Sequence, residues 1–179
     1  MITSDLGAQS LRKAFSTFPT GVVAVCGLDR DGNLAGMAVS TFVPVSIDPP
    51  LVGICLQKSS RTWPVLREIP VLGISVMSHG HHVVARQLAA KEGDRFAGVS
   101  TSVTDRGAVL LSDAAAAFEC TYVEQVDAGD HVFALLRIES AAWDGDAAPL
   151  LFHMSKFVEF EPSRISLRTQ GLVPAVDWC

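Results

Sequence analysis

Residues 36–63 read GMAVSTFVPVSIDPPLVGICLQKSSRTW, and their pattern is the most informative in the chain. Apolar runs on both sides of a proline-rich corner predict two β-strands. The second run, residues 51–56, is continuously apolar, which is typical of a strand buried on both faces. It leads into Lys58-Ser59-Ser60-Arg61-Thr62, where a serine at 59 or 60 is expected to cap the start of a helix. We therefore expect a strand, a corner, a second strand and a helix that begins among hydroxyl and cationic groups.

The hydroxyls and cations of residues 58–62 are compatible with a phosphate site. Helix N-termini present unpaired N–H groups and partial positive charge, both of which favour anions. An ordinary serine-capped surface helix carries the same residue types and is common. The hydroxyls of Val39-Ser40-Thr41 are open to a similar choice, because they could bind the polar edge of a ring or simply belong to a sheet. Residue types alone leave both alternatives open for each segment. They favour a capped surface helix at residues 58–62 and a plain strand at residues 39–41.

The flanking sequence predicts many short strands and few helices. Helical spacing of apolar residues predicts an amphipathic helix over 8–17, and Asp29-Arg30-Asp31-Gly32-Asn33 predicts a hairpin turn. The other expected elements are strands at 22–28, 34–42, 71–77, 115–126, 131–143, 150–152 and 157–160, and a helix over 82–91. This pattern predicts a mainly β (α+β) fold, a closed or nearly closed antiparallel β-barrel with a few short peripheral helices.

The composition fits one domain over residues 1–179, with a core at about 8–160 and a C-terminal tail at 161–179. Hydrophobic residues make up 49% of the chain and charged residues 18%. The charged share is below the usual ~25% for soluble domains. Surplus apolar surface is commonly covered in an interface or a ligand pocket, so we expect an oligomer.

Several classes of protein and site are disfavoured. The net charge is −5 and there is no basic block, which argues against nucleic-acid binding. There is neither a signal-peptide pattern nor an apolar stretch of the ~18 residues that a membrane helix needs, so we expect a cytoplasmic protein without a membrane partner. His79, His81 and His82 have no carboxylate close by, and the four cysteines are widely spaced, so no metal site is expected. Gly-x-Gly-x-x-Gly and Gly-x-Ser-x-Gly motifs are both absent.

Two further polar segments could carry function. Gly129-Asp130-His131 places an acid beside a histidine where two long strands meet. Asp130 could orient His131 beside a ligand, or the pair could be an ordinary turn aspartate and strand-start histidine. The loop Lys91-Glu92-Gly93-Asp94-Arg95-Phe96-Ala97-Gly98 carries an Arg–Phe pair that could cover a planar ligand, although this motif is weak alone.

Seven ordered segments together resemble the flavin reductase-like family, which has the FMN-binding split-barrel fold. The family includes the small reductase components of two-component flavin monooxygenases. The segments are FSTFPTGV at 15–22, GMAVSTF at 36–42, VSIDPPLV at 45–52, KSSRT at 58–62, DRFAG at 94–98, GDH at 129–131 and PLLFH at 149–153. The resemblance covers about residues 8–160 and implies an antiparallel split β-barrel. With the resemblance, a phosphate site at residues 58–62 and a ligand-binding histidine at residues 129–131 are favoured over the ordinary structural alternatives.

The resemblance also implies a set of site residues. The bound cofactor would be FMN or FAD, with NADH or NADPH as hydride donor, and His131 would meet the incoming nicotinamide. The implied flavin contacts are Val39, Ser40 and Thr41 at the ring and ribityl chain; Cys55, Leu56 and Gln57 at the strand end; Lys58, Ser59, Ser60 and Thr62 at the phosphate; Arg95 and Phe96 over the flavin; and Met37, Ala38 and Phe152 elsewhere at the cofactor.

The function implied by the resemblance is that of a homodimeric NAD(P)H-dependent flavin reductase that supplies reduced flavin to a separate monooxygenase. The alternatives on the same barrel are a non-enzymatic flavin-binding protein and a flavoprotein similar to the pyridoxamine phosphate oxidases. The chain departs from the family pattern at Ser75, where asparagine is common, and at Phe152 and Ser155, where tyrosine and glycine are common.

Overall fold

The computed structural model describes residue 4 and residues 6–159, and this part of the chain is mostly β-structure. The helices are α1 (Ala8–Phe15), α2 (Trp63–Leu66) and α3 (His82–Leu88), with a 3₁₀ turn at His79–His81. The strands are β1 (Thr20–Gly21), β2 (Val23–Leu28), β3 (Leu34–Val39), β4 (Phe42–Ser46), β5 (Leu51–Gln57), β6 (Leu72–Val76), β7 (Thr101–Val103), β8 (Val109–Leu111), β9 (Ala116–Ala128), β10 (His131–Trp143), β11 (Leu150–His153) and β12 (Lys156–Glu159).

The main sheet has seven strands in the order β3-β2-β6-β9-β10-β5-β4, and all of its pairings are antiparallel. The predicted mainly β, antiparallel fold is therefore confirmed. Within the described residues the hydrogen-bonded ladder stays open between β3 and β4, so no closed barrel forms. Two smaller sheets, β1-β11-β12 and β7-β8, complete the strand set.

A single strand was expected over 34–42, but the structure divides it into β3 and β4. The break lies at Ser40 and Thr41. Thr41 Oγ1 accepts the backbone N–H of Cys55 at 2.9 Å and donates to the Cys55 carbonyl at 3.0 Å. A side chain thus takes over the hydrogen bonds that the main chain would make with β5, and the backbone is free to bend.

Strand β2 is buried on both faces and separates two apolar clusters. Val23 and Val25 belong to one cluster, with Ile54 of β5 and Leu136 of β10 among its members. Ala24 and Cys26 belong to the other, which also contains residues of α3, β8 and β11. The alternation follows from the two-residue period of a strand. The cluster on the α3 side supports that helix beside the end of β3.

The helix expected after Ser59 or Ser60 starts later and is short. Helix α2 contains only four residues, and its first turn includes Pro64. Ser60 Oγ accepts the backbone N–H of Trp63 at 3.1 Å, so the serine does bond to the first turn from a preceding loop. Residues 58–62 are therefore loop, and a macrodipole from a single turn adds little to anion binding there.

The expected tail at 161–179 lies outside the described residues. Among the helices of the described part, none has the length and hydrophobicity that crossing a bilayer would require.

The hairpin β7-β8, which the sequence patterns did not predict, packs on β6. Ser75 is 1% exposed, and its Oγ accepts the backbone N–H of Leu111 at 2.9 Å. Gly73 lies so close to β8 that an added Cβ would stand 1.9 Å from the carbonyl oxygen of Val109. Ser75, one of the departures from the family pattern, thus has a structural role in holding the hairpin.

Candidate functional site

A cavity of about 630 Å³ lies where β3, β5 and β10 meet the loop after β5 and the end of α3. Strand pairing brings these segments together, because His131 of β10 pairs with Gln57 of β5. The lining residues are Met37, Ala38, Val39, Ser40, Thr41, Cys55, Leu56, Gln57, Ser59, Ser60, Arg61, Thr62, Leu88, Ala89, Lys91, Arg95 and His131.

The charge of this cavity has one sign. Arg61, Lys91 and Arg95 line it, and none of its lining residues is an aspartate or glutamate. The chain as a whole carries a net charge of −5, so the positive charge of this cavity is opposite in sign to the net charge of the protein. A cavity with several cations and no acid favours an anionic ligand, and arginine in particular favours phosphate or carboxylate.

Arg95 is held in the cavity wall by neutral acceptors. Its Nε donates to the Ala90 carbonyl at 2.8 Å, and its Nη1 donates to the Gly36 carbonyl at 3.1 Å and to Thr62 Oγ1 at 2.7 Å. In the described part of the chain, no carboxylate forms an ion pair with it. The guanidinium is therefore fixed in position while its charge remains available to a ligand.

The two other cations are linked through the backbone. Arg61 Nη2 donates to the Lys91 carbonyl at 3.2 Å, which joins the loop after β5 to the segment after α3. Together with Arg95, these residues form a cationic cluster (Arg61, Lys91 and Arg95) at one end of the cavity. The hydroxyls of Ser59, Ser60 and Thr62 line the cavity close to them in sequence.

His131 lies at the start of β10 and lines the same cavity. Its Nδ1 and Asp130 Oδ1 are 2.7 Å apart. The hydrogen bond from His131, followed by the attraction of its ring, lowers the pKa of Asp130. An ionised carboxylate only accepts hydrogen bonds, so Nδ1 carries the proton and Nε2 is left for other partners. Asp130 therefore fixes the orientation of the ring.

Most of the residues expected from the resemblance line the cavity, but Lys58, Phe96 and Phe152 do not. Lys58 Nζ lies 3.2 Å from Asp127 Oδ2 in an exposed ion pair. Phe96 packs against the apolar cluster on the α3 side of β2. Phe152 stacks edge-on with Phe157 in a separate cavity, with ring centroids 5.4 Å apart. These three side chains therefore lie outside the cavity lining, and their predicted contacts with a cofactor stay predictions.

Some lining residues were not among the predicted ones: Arg61, Leu88, Ala89 and Lys91. Arg61 and Lys91 are cations within segments that the sequence marked as polar, so their charge was an available signal. Leu88 and Ala89 gave none, because an apolar residue at a helix end is usually core.

The histidine-rich run before α3 includes a structural histidine. The backbone N–H of Ser78 donates to His81 Nδ1 at 3.0 Å, and His81 Nε2 lies 3.0 Å from the Ser112 carbonyl. Since Nδ1 accepts, Nε2 carries the proton and donates to that carbonyl. His81 therefore connects the 3₁₀ turn to the end of β8. In the described residues, no three His, Cys, Asp or Glu side chains are grouped as metal ligands would be.

Comparison with known proteins gives consistent matches. A family model described as "Flavin reductase like domain" matches residues 15–161. A flavin reductase of Pseudomonas putida is 29% identical over 160 residues, which are 89% of this chain and 94% of that protein. The flavin-dependent monooxygenase reductase subunit HsaB of Rhodococcus jostii is 28% identical over 156 residues, which are 87% of this chain and 80% of the subunit.

A solved structure matches over nearly the same extent. It is the NADH:FAD oxidoreductase SgcE6 of Streptomyces globisporus, in complex with NAD and FAD fragments. The identity is 30% and the TM-score 0.84, with 90% of this chain and 98% of that chain covered.

Proposed function

The chain belongs to the flavin reductase-like family, and on that premise we propose that it is an NAD(P)H-dependent flavin reductase. The observation that carries the proposal is the cavity of about 630 Å³, which holds three cations and no acid. FMN and FAD are anionic through their phosphates and carry a planar ring. The cavity combines a cluster of cations with residues of strands β3, β5 and β10, which is the combination that such a ligand needs.

The residues at the cationic end would hold the flavin phosphate. Arg95 is the strongest of them, because its charge has no carboxylate partner among the described residues and its position is fixed by three hydrogen bonds. Arg61 and Lys91 add charge, and the hydroxyls of residues 59, 60 and 62 can donate hydrogen bonds.

The residues at the strand end would hold the ring and the ribityl chain. Backbone and side chains of residues 37–41 and 55–57 line this part of the cavity. Both polar groups of the Cys55 backbone are bonded to Thr41, so this wall is rigid. A rigid wall supports catalysis by positioning, because hydride transfer is accelerated when the flavin and nicotinamide rings are held at a fixed distance and orientation.

A bound flavin supplies the hydride-accepting ring atom, and NADH or NADPH supplies the hydride. The protein itself needs only to hold the flavin and nicotinamide rings in the orientation that allows hydride transfer. His131 is the residue that we assign to the nicotinamide side, as the resemblance implied. Asp130 accepts the hydrogen bond from Nδ1 and orients the imidazole, so Nε2 is left to bond to the nicotinamide nucleotide. No side chain has to act as acid or base in the hydride step.

We further propose that the chain forms a homodimer and passes reduced flavin to a separate monooxygenase. The monooxygenase is supported by the relative HsaB, which is a reductase subunit of such an enzyme. The dimer is supported by three exposed apolar residues at this edge of the sheet: Val43 and Val45 of β4 and Ile47 in the turn after it, which are 45%, 40% and 76% exposed. Residues 1–179 would act as one domain, in the cytoplasm, where nicotinamide cofactors are supplied.

The test is a direct assay of flavin reduction. Purified protein is mixed with FMN or FAD and with NADH or NADPH, and oxidation is followed in the nicotinamide absorbance band, with a flavin-free reaction as the control. Oxidation with at least one pair is expected. Flavin binding without oxidation in any of the four pairs would favour the non-enzymatic alternative. Pyridoxamine phosphate turnover with oxygen in the absence of nicotinamide would favour the oxidase-like one.

A further inference from the structure

The loop after β5, residues 58–62, forms part of the wall of the cavity of about 630 Å³ (the first cavity). Its lining residues are Ser59, Ser60, Arg61 and Thr62. Only the four-residue helix α2 follows, so the loop cannot take its shape from a long helix. Binding of a phosphate by these hydroxyls would depend on their placement, so the contacts that fix the loop matter for affinity.

Trp63, the first residue of α2, anchors the end of this loop. Its side chain is 4% exposed and belongs to the apolar cluster that contains Val23. The indole meets the ring of Tyr122 on β9 edge-on, with ring centroids 6.0 Å apart. The backbone N–H of Trp63 donates to Ser60 Oγ at 3.1 Å, so a movement of Trp63 would move a hydroxyl of the cavity wall.

The indole N–H of Trp63 is bonded to Gln125 of β9. Nε1 donates to Gln125 Oε1 at 2.9 Å. An indole N–H that is removed from water needs an acceptor, because a buried donor without a partner is destabilising. Gln125 does not line the first cavity, so it would act on a ligand indirectly, through the hydrogen-bonded Trp63.

The position of Gln125 in the sheet would otherwise favour an apolar residue. It pairs with Ala134 of β10, which is 0% exposed and belongs to the same apolar cluster as Trp63. Residues directly opposite each other on adjacent strands lie on the same face of a sheet, so Gln125 lies on the face toward the core. A polar side chain there is destabilising unless it is hydrogen-bonded. The bond to Trp63 accounts for a glutamine at this position.

The other end of the loop is attached to the same pair of strands. The backbone N–H of Lys58 donates to the Asp130 carbonyl at 3.0 Å, and Lys58 Nζ lies 3.2 Å from Asp127 Oδ2. This ion pair is exposed and contributes little. Both ends of the loop are thus tied to β9 and β10, and the partly buried bond between Trp63 and Gln125 is the stronger of the two side-chain links.

From these contacts we infer that Gln125 is a positioning residue for a flavin phosphate bound at the loop. The inference rests on the proposed function, since it requires a flavin in the first cavity. Without its acceptor, the indole of Trp63 would shift toward another partner or water. That shift would displace Ser60, which bonds to the Trp63 backbone, and Thr62, whose Oγ1 accepts a hydrogen bond from Arg95 at 2.7 Å. The phosphate contacts would then be misplaced, whereas the strand residues proposed to hold the ring would stay in place.

The experiment compares FMN with riboflavin, which has the same ring and ribityl chain but no phosphate. Gln125→Met removes the acceptor and keeps a side chain of similar length, and a thermal melt verifies folding. Gln9→Met, at an exposed position on α1, is the matched control. Dissociation constants for both flavins are measured by titration, and kcat and the KM for NADH are measured at saturating FMN.

Native protein is expected to bind FMN more tightly than riboflavin. In Gln125→Met the dissociation constant of FMN should rise about fivefold, which corresponds to the loss of one net hydrogen bond. The dissociation constant of riboflavin, kcat and the KM for NADH should stay near their native values. A residue that only stabilises the fold would not change the ratio of the two flavin affinities. Gln9→Met should match the native protein in every measurement.

A second variant, Trp63→Phe, tests whether the effect passes through the hydrogen bond. It removes the indole N–H and should weaken FMN binding by a similar factor. If the two residues act as one unit, the double variant binds FMN no more weakly than the weaker single variant, whereas independent effects would multiply. The comparison of FMN with riboflavin in Gln125→Met stands even if Trp63→Phe is too unstable to purify.

Four results would overturn the inference. They are a native protein that does not distinguish FMN from riboflavin, equal losses for the two flavins in Gln125→Met, an FMN affinity in Gln125→Met that matches Gln9→Met, and single-variant effects that multiply in the double variant. Failure of the proposed function looks different, because the native protein would then bind neither flavin, or would oxidise neither NADH nor NADPH with any flavin.

Discussion

The cations near the first cavity are not equivalent, although they are close in sequence. Lys58 is paired with Asp127, whereas Lys91 lines the cavity. Residue type alone could not separate them, because the difference depends on where β9 places an acid. The sequence predicted Lys58 as a phosphate contact and did not single out Lys91, and which of the two lysines contacts a phosphate stays a prediction.

This difference gives a prediction for a matched pair of lysines. Lys91→Met should raise the dissociation constant of FMN by about tenfold, since a charge-assisted contact to phosphate is lost. Lys58→Met should leave it within about twofold, because an exposed ion pair contributes little. Isothermal titration of both variants checks this, and a larger loss in Lys58→Met would reverse the assignment.

His131 gives a second prediction at this scale. His131→Ala should raise the KM for the nicotinamide cofactor severalfold and leave the flavin dissociation constant nearly unchanged, because the residue is assigned to the nicotinamide side. His82→Ala, at an exposed position on α3 outside the cavity lining, is the control. Steady-state kinetics with flavin titration separate the two effects. Loss of flavin affinity at constant KM would place His131 on the flavin instead.

At the scale of elements, the strand pattern was read well from the sequence and the small elements were not. The long strands β9 and β10 carry enough alternation and turn chemistry at residues 128–130 to be found. Hairpin β7-β8 has only three residues in each strand, too few for a period to be recognised. The break at residues 40–41 depends on a hydroxyl reaching Cys55 across the sheet, a contact that local sequence does not encode.

The close approach of β8 to β6 predicts an intolerant glycine. Gly73→Ala should destabilise the fold by about 2 kcal/mol or more, because the new methyl group meets backbone that cannot rotate away. Gly80→Ala is the control, since nothing lies within 4 Å of its added Cβ. Urea unfolding of both variants measures the difference, and equal midpoints would mean that β8 is held more loosely than described.

An acidic residue under the same hairpin makes stability depend on pH. Glu119 is 8% exposed, and the hydrogen bonds from Thr104 and then Ser140, with the attraction of Arg106, lower its pKa. A lowered folded pKa stabilises the protein above the unfolded value of about 4.3, and this contribution is lost as the pH falls through the folded pKa.

Glu119→Gln should therefore be less stable than the native protein at pH 7, and the difference should shrink as the pH falls below about 4.3. Unfolding free energies measured by urea at several pH values check this, with Glu124→Gln at an exposed position as the control. A difference that stays constant with pH would remove the ionised carboxylate from the explanation.

At the scale of the whole molecule, the excess of apolar residues led us to expect an oligomer. The exposed apolar residues of β4 and of the turn after it locate a candidate interface that composition could not locate. Ile47→Asp should convert a dimer to a monomer, because a carboxylate would be buried at the contact. Light scattering coupled to gel filtration measures the mass, with Val103→Asp on β7 as the control. A native protein that is already monomeric would contradict the dimer.

The cationic cluster has a consequence for flavin exchange. Hydride transfer changes the flavin ring and leaves the flavin phosphate unchanged. The cationic cluster of Arg61, Lys91 and Arg95 would therefore bind oxidised and reduced flavin with equal strength. A contribution to binding that is the same for oxidised and reduced flavin cancels from the ratio of their two affinities. Any preference for releasing reduced flavin must therefore originate at the residues proposed to hold the ring, 39–41 and 55–57. Stronger binding of the phosphate would slow the release of both forms equally.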